Sequence, residues 1–249
     1  MKRPYEIKEQ SGVIITANKY KEKDCVVTIV GEGKKRVYTA NSAYSITSKN
    51  HIATLVYSQV KISSSGYEDH PCINGISLLK AHNDIYENLF YCTALSIIQE
   101  VVTNLFEEND ELDTSYIEEL VNLVTPTDET VIFAVLVTLL HLLKDIGILS
   151  LDLTCSSCGK KLSRTETYNF DYGGFLCNSC QDEHMISAKD EASLKILLKA
   201  YRAKPKDFIQ DFKKISVLNV IEDVVDYIKL ALGYNVKSLH NFRKWFFNL

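Results

Sequence analysis

Residues 155–180 read CSSCGKKLSRTETYNFDYGGFLCNSC, a stretch bracketed by two Cys pairs, Cys155 with Cys158 and Cys177 with Cys180. Each pair is C-x2-C, and 18 residues separate them, a spacing that suits a four-thiolate zinc site. The physical reason is reach. Two residues between thiolates let one tight turn aim both sulfurs at a single ion. The loop between the pairs brings a second turn round to complete a tetrahedron, at about 2.3 Å per Zn–S bond. Gly159, directly after the first pair, permits a positive φ that turns backbone N–H groups toward a thiolate. Gly173 and Gly174 permit a hairpin bend before the second pair. A catalytic zinc keeps one position open for water, and four thiolates leave none, so the expected cofactor is one structural Zn2+ in a knuckle over residues 153–182. Either C-x2-C taken alone also suits a redox dithiol, and iron–sulfur ligation uses the same thiolates. Cys25, Cys72 and Cys92 stand outside the pattern; Cys25 and Cys92 read as buried small hydrophobes.

Toward the N-terminus the pattern is β. Residues 12–17 and 25–30 are short β-branched runs, residues 31–34 carry a turn signal, and residues 36–40 continue as a strand. Residues 51–63 are longer and alternate in part. Short strands at close spacing, with curvature-permitting Gly, predict a small barrel over residues 1–82. Residues 74–80 also allow a helix.

From about Asp84 the period becomes helical. Ile85, Leu89, Phe90, Leu95, Ile98, Val101, Val102, Leu105 and Phe106 form one stripe. Ser115 with Glu118 resembles a capping box that opens a second helix running through Val124. Thr127 or Asp128 is placed to cap a third helix containing the apolar run 131–143, which Gly147 ends. At 13 residues that run is too short for a bilayer, which needs about 20. After the knuckle, Asp190, Ser216 and Ser238 are placed to cap three more helices, with Gly233 stopping the second. Trp245, Phe246 and Phe247 are expected to tuck inward. The architecture predicted is α+β and multidomain: a barrel over 1–82, then an all-helical domain over 83–249 with the zinc knuckle inserted.

Composition bounds the function. Of 249 residues, 46% are hydrophobic and 24% charged, which is globular. The polar start and seven Cys without an apolar leader point to a reducing, cytoplasmic setting with no membrane partner. The net charge of −4 conceals a pattern: +5 over residues 1–82, −13 over 83–154 and +4 over 155–249. The acidic run 107–113, EENDELD, reads as a solvated loop. His141 reads as a hydrogen-bonded core histidine, and His184 is surplus to four thiolates. No nucleophile elbow, phosphate loop, dinucleotide fingerprint or H-E-x-x-H appears, so nothing argues for an enzyme and no catalytic residue is expected.

Binding is the better reading. Lys19, Lys21 and Lys23 flank the first turn, Lys34, Lys35 and Arg36 the next, and Lys49 lies in a later loop, with Tyr20, Tyr38 and Tyr44 among them. Small barrels hold single strands with this mixture, cations tracking phosphates and rings stacking on bases. Lys237, Arg243 and Lys244 add cations near the C-terminus.

The order of parts, barrel, helices, four-Cys knuckle and closing helices, resembles the RecO family of recombination mediators. Residues 20–24 (YKEKD) before a β-branched strand resemble that family's first hairpin, residues 171–177 (DYGGFLC) its approach to the second Cys pair, and residues 236–238 (VKS) its last helix start. The resemblance implies an OB-fold barrel and a DNA repair protein that binds single- and double-stranded DNA. It implies annealing of complementary strands, partnership with RecR and single-strand-binding protein, help in loading RecA, and a nucleoid-associated location in a bacterial cytoplasm. One departure is plain: the family's basic, glycine-containing stretch after the second barrel strand is here residues 39–50, with a single Lys. A protein-interaction scaffold of the same fold, with weak DNA binding, is the alternative.

Overall fold

The computed structural model describes residues 5–67, 70–162, 167–169, 172–180, 191–208 and 212–247. Five strands come first: β1 (Tyr5–Tyr20), β2 (Asp24–Gly31), β3 (Lys34–Ala40), β4 (Gln59–Tyr67) and β5 (His70–Lys80), with a 3-10 turn at Lys49–Thr54 between β3 and β4. They close a barrel in the order β1-β2-β3-β5-β4, the order of an OB-fold, with β3 and β5 parallel. The 16-residue β1 closes it by serving two partners. Its first half pairs β4, its second half pairs β2, and a register shift between Ile14 and Thr16 bends the strand between them. Gly12 and Gly31 allow that bend, because a Cβ on Gly12 would lie 2.6 Å from the Val30 carbonyl oxygen and one on Gly31 2.5 Å from the Gly12 Cα. Alternate residues fill the interior: Cys25, Val27 and Ile29 from β2, Tyr38 and Ala40 from β3, Val60 and Ile62 from β4.

The alternative of a helix at residues 74–80 is replaced by β5, which pairs with β4 from His70 to Lys80 through two register shifts. The single helical stripe from Asp84 is two helices, α1 (Asn83–Glu87) and α2 (Leu89–Leu105). Asn88 separates them in an extended conformation, and its side chain accepts the Tyr91 N–H at 3.0 Å to start the second. In α3 (Ser115–Val121) the N-cap is Thr114. The Ser115 hydroxyl donates to Asp113 at 2.5 Å instead of capping, and the helix stops short of Val124, which is exposed. In α4 (Asp128–Asp145) the Thr127 hydroxyl accepts the Thr130 N–H as expected, and every residue from 130 to 140 is buried. Among the described residues no helix is long and apolar enough to cross a membrane.

A two-stranded ribbon follows, β6 (Thr167–Asn169) and β7 (Gly174–Leu176), then α5 (Glu191–Arg202), α6 (Lys214–Leu232) and α7 (Lys237–Phe246). Gly233 ends α6 at φ +68°. The start of α6 carries Lys214, paired with Asp128 of α4 at 2.9 Å, ahead of Ser216. Val236, not Ser238, is the cap position of α7. Phe242 is fully buried, but Trp245 is 61% exposed, so the aromatic end is not tucked in whole. Cys25 is buried as expected and Cys92 is half-buried. Asp190 and His184 lie outside the described residues. Two compact units result: Met1–Cys92 with Gln99–Thr125, and Thr93–Ile98 with Pro126–Leu249.

Candidate metal centre and nucleic-acid surface

The four cysteines of the knuckle converge. Their Sγ atoms all lie within 4.8 Å of one another, and those of Cys158 and Cys177 are 3.8 Å apart. A tetrahedron with metal–sulfur bonds of about 2.3 Å has edges of about 3.8 Å, so the cluster is of a size to hold one metal ion. Backbone geometry builds the first turn: the Gly159 N–H donates to the Cys155 carbonyl at 2.8 Å, and Gly159 takes φ +72°. The Cys155 N–H donates to the Lys160 carbonyl, and Cys155 bridges Phe175 of β7, which ties the first pair to the second. Hydrogen bonds from the backbone at Cys177, Cys158 and Ser157 bring the Cys155 thiol down to about 6, against the opposing effect of desolvation. Cys180 is pushed up to about 12; a hydrogen bond with Ser157 works against this, while Cys177 and Cys158 raise it. The cluster thus favours a thiolate at Cys155 and disfavours one at Cys180.

The two glycines before the second pair do more than bend. Gly173 sits at φ +59°, and a Cβ there would land on the Tyr227 hydroxyl and 2.6 Å from the Ile148 carbonyl oxygen. Tyr227 of α6 donates to that same carbonyl, and Ser150 N–H donates to Gly173 O at 3.0 Å. The knuckle is therefore seated on α6 by close backbone approach.

The barrel cations separate into two groups at opposite ends of β2. At its start, Lys19, Lys21 and Lys23 are exposed around the β1–β2 turn, with Tyr20 47% exposed and the Lys21 ammonium 5.0 Å from its ring centroid. Residues 41–50 fold beside this turn. Tyr44 N–H donates to Lys23 O at 2.9 Å, Tyr44 hydroxyl to Ala17 O at 3.2 Å, and Ser42 N–H to the Asp24 carboxylate at 2.9 Å. Asn50 and His51 bond back to the carbonyls of Asn41 and Ala43, and exposed Lys49 opens the 3-10 turn. The result is a braced rim with four cations and the exposed rings of Tyr20 and Tyr44.

At the other end of β2 the expectation fails for Lys35. Its side chain is 6% exposed, and its ammonium donates to the carbonyls of Thr103 at 2.9 Å and Phe106 at 2.5 Å, closing the end of α2. Tyr38 is also buried, with its hydroxyl 2.5 Å from Gln10 Oε1, so it offers no ring to a base. The acidic run is solvated as expected, with Glu107, Glu108, Glu111 and Asp113 exposed, but its backbone also straps the edge of β3. Asn109 N–H donates to Lys35 O, Leu112 N–H to Gly33 O, Val37 N–H to the Glu108 carboxylate, and Glu111 bridges Lys34. Lys34 and Arg36 are half-buried beside it.

Near the C-terminus, Lys237 and Lys244 are exposed, while Arg243 is held by Glu222 of α6 at 2.7 Å. His141 is half-buried and stacks on Tyr201 with ring centroids 5.9 Å apart. Sequence reading passed over a row of cations on α5, Lys195, Lys199 and Arg202; their four-then-three spacing was the available signal.

No protein-family model matches the chain. Two curated relatives do. A DNA repair protein RecO of Staphylococcus epidermidis is 22% identical over 225 residues, covering 88% of this chain and 85% of the relative. A DNA repair protein RecO of Acetivibrio thermocellus is 24% identical over 239 residues, covering 92% of this chain and 90% of the relative. At these identities the chain is similar to RecO proteins along nearly its full length, which supports the resemblance to the RecO family.

Proposed function

We propose that this chain, a member of the RecO family, is a DNA repair protein and recombination mediator that binds single- and double-stranded DNA and anneals complementary strands. The observation that carries the reading is the braced rim of the barrel. Lys19, Lys21, Lys23 and Lys49 share the rim of an OB-type barrel with two exposed tyrosine rings, the chemistry that holds an unpaired strand by phosphate contacts and base stacking. Lys237 and Lys244 add exposed cations; Arg243 is engaged and Lys35 drops out. Annealing then needs no bond-making step. Cations screen two phosphate backbones while bases search for register. Partnership with RecR and single-strand-binding protein, and help in loading RecA, follow from the family reading, as does a cytoplasmic, nucleoid-associated location.

The metal we assign to Cys155, Cys158, Cys177 and Cys180 is one structural Zn2+. Four thiolates complete its shell, and its contribution is to hold the knuckle on α6. Protein purified without chelator should carry one zinc per chain by elemental analysis; a chain with no zinc refutes the assignment.

The scaffold alternative draws on one observation, the acidic strap beside Lys34 and Arg36. Mixing complementary labelled oligonucleotides with the protein across a salt series, with and without single-strand-binding protein, separates the two. Acceleration that fades steeply with salt, and is lost when Lys19, Lys21 and Lys23 are all replaced by Gln, supports the mediator. No acceleration at any salt supports the scaffold.

A further inference from the structure

Along α5 and just past its end stand Lys195, Lys199, Arg202 and Lys206, separated by four, three and four residues. That spacing places the three helical cations on one face, and all four are exposed. With Leu198 and Asp207 among its walls, this row lines a concave site of about 620 Å³. The turn that shapes its far end is fixed: Asp207 Oδ2 accepts the Lys204 N–H at 3.1 Å, and the Asp207 N–H donates to Lys204 O at 2.8 Å. Asp207, the one carboxylate among the described lining residues, is thus engaged with backbone, while the four cations of the lining are exposed, the Lys199 ammonium lying 5.3 Å from the Phe212 ring centroid. Cations are favoured in the last turn of any helix by its dipole. That preference covers Lys199 and Arg202, but neither Lys195, two turns from the end, nor Lys206 beyond it, nor the concavity they share.

We infer that this cleft binds the phosphodiester backbone of a single nucleic-acid strand. The inference rests on the DNA reading above and adds a phosphate site on the second unit, separate from the barrel rim. The helix rise sets Lys195 and Lys199 about 6 Å apart along the axis and Arg202 about 4.5 Å further on. Charges stepped in this way suit successive phosphates of an extended strand better than one free phosphate, which calls for converging donors. Arg202 supplies the planar fork that grips a phosphate through two hydrogen bonds. An acidic peptide would need apolar pockets to seat its side chains, and the described lining of the cleft offers little besides Leu198 and Ala203. A chain that anneals must engage two strands, and cations on both units give each strand a place.

The test uses the full chain and a fluorescein-labelled oligo-dT strand, titrated by anisotropy from 50 to 300 mM NaCl. The variant K195Q/K199Q/R202Q should lower the slope of log affinity against log salt by about 2, about 0.7 for each lost contact. Binding at 50 mM should weaken about tenfold or more, and K195R/K199R should keep both slope and affinity. A folded triple variant with an unchanged slope overturns the inference. If its thermal melt shows that it does not fold, R202Q alone must lower the slope by about 0.7 or the inference falls. The rim variant K19Q/K21Q/K23Q separates the two readings. Wild type that binds, a rim variant that loses binding and an α5 variant that does not would remove the α5 site alone. Wild type that fails to bind at 50 mM would remove both. A labelled oligo-glutamate peptide that displaces the strand from wild type, and loses its own binding in the α5 variant while the strand does not, would reassign the cleft to a protein partner.

Discussion

The Lys35 ammonium lies against two carbonyls at the end of α2, whereas the Lys21 ammonium stands in solvent over a tyrosine ring. The same side chain therefore closes a helix in one place and offers a mobile charge in the other. Burial pulls the Lys35 pKa below its ordinary value, opposed by the charges of Asp110, Glu108 and Glu107. Lys35→Met keeps the stem and removes both hydrogen bonds, leaving two helix-end carbonyls without their donor. It should cost about 1–3 kcal/mol of stability by denaturant unfolding, while the salt slope of DNA binding stays put because no phosphate contact is lost. A second buried group sets a pH dependence. His82 is 2% exposed, and burial, then Lys80, hold its pKa below 6.5, with Asp84 opposing. The unfolded chain takes up that proton first as pH falls. The contribution of His82 is therefore complete above about pH 6.5 and is lost as pH drops below it toward the folded-state value. Unfolding curves at pH 7.5, 6.5, 5.5 and 5.0 should show a decline that His82→Gln flattens; an identical decline in the variant would place its origin elsewhere.

Among the elements, the acidic strap has the clearest consequence for binding. β3 pairs β5 only at Thr39 with Cys72, so the first half of β3 presents an edge, and residues 107–112 occupy it through backbone donors. The strap thereby sets four carboxylates, Glu107, Glu108, Asp110 and Glu111, along the edge that carries Lys34 and Arg36, where they oppose a phosphate backbone. Replacing Glu107, Glu108 and Glu111 together with Gln keeps an oxygen to accept the Val37 N–H and removes three charges. Affinity for a labelled single strand at 50 mM NaCl should rise about threefold, with the gain gone by 300 mM, as screening of exposed charges requires. No gain at low salt would leave the strap a purely structural edge cover. The strap escaped sequence reading because two of its bonds come from the N–H groups of Asn109 and Leu112, which any residue supplies, and the Glu108 carboxylate that accepts the Val37 N–H showed in sequence only as charge. β5 was ambiguous for a related reason. Gly75 opposite Ser63, with the register shift beside it, breaks the alternation that marks a strand. The helix α4 was legible because Thr127 and Gly147 punctuate a run that is apolar but for Thr138 and His141. The thiolate cluster was legible because two C-x2-C turns leave little other use for four sulfurs. The two groups of barrel cations were alike in composition. Only the eight residues of β2, about 23 Å of strand between them, put them at different ends, one open and one covered.

At the scale of the molecule, net charge and local charge pull in opposite directions. The chain carries −4 overall, and residues 83–154 alone carry −13, yet the barrel rim and the α5 cleft are cationic. Which of these an approaching strand feels depends on the screening length: about 30 Å at 10 mM salt and about 10 Å at 100 mM. Near 100 mM only charges close to the strand act, so the cationic surfaces dominate and lowering salt strengthens attraction. Toward 10 mM the strand begins to sense the acidic residues as well, and the net negative charge opposes its approach. The association rate constant should therefore climb as salt falls from 200 to about 50 mM and then level off, rather than rise without limit as it does for a uniformly basic protein. Stopped-flow mixing with a labelled oligonucleotide from 10 to 200 mM NaCl reads this directly. The strap variant, three charges less negative, should keep climbing to lower salt than wild type. A wild-type rate that rises steeply all the way to 10 mM would show that the acidic block is not felt by the strand, and that the rim and the cleft alone set the encounter.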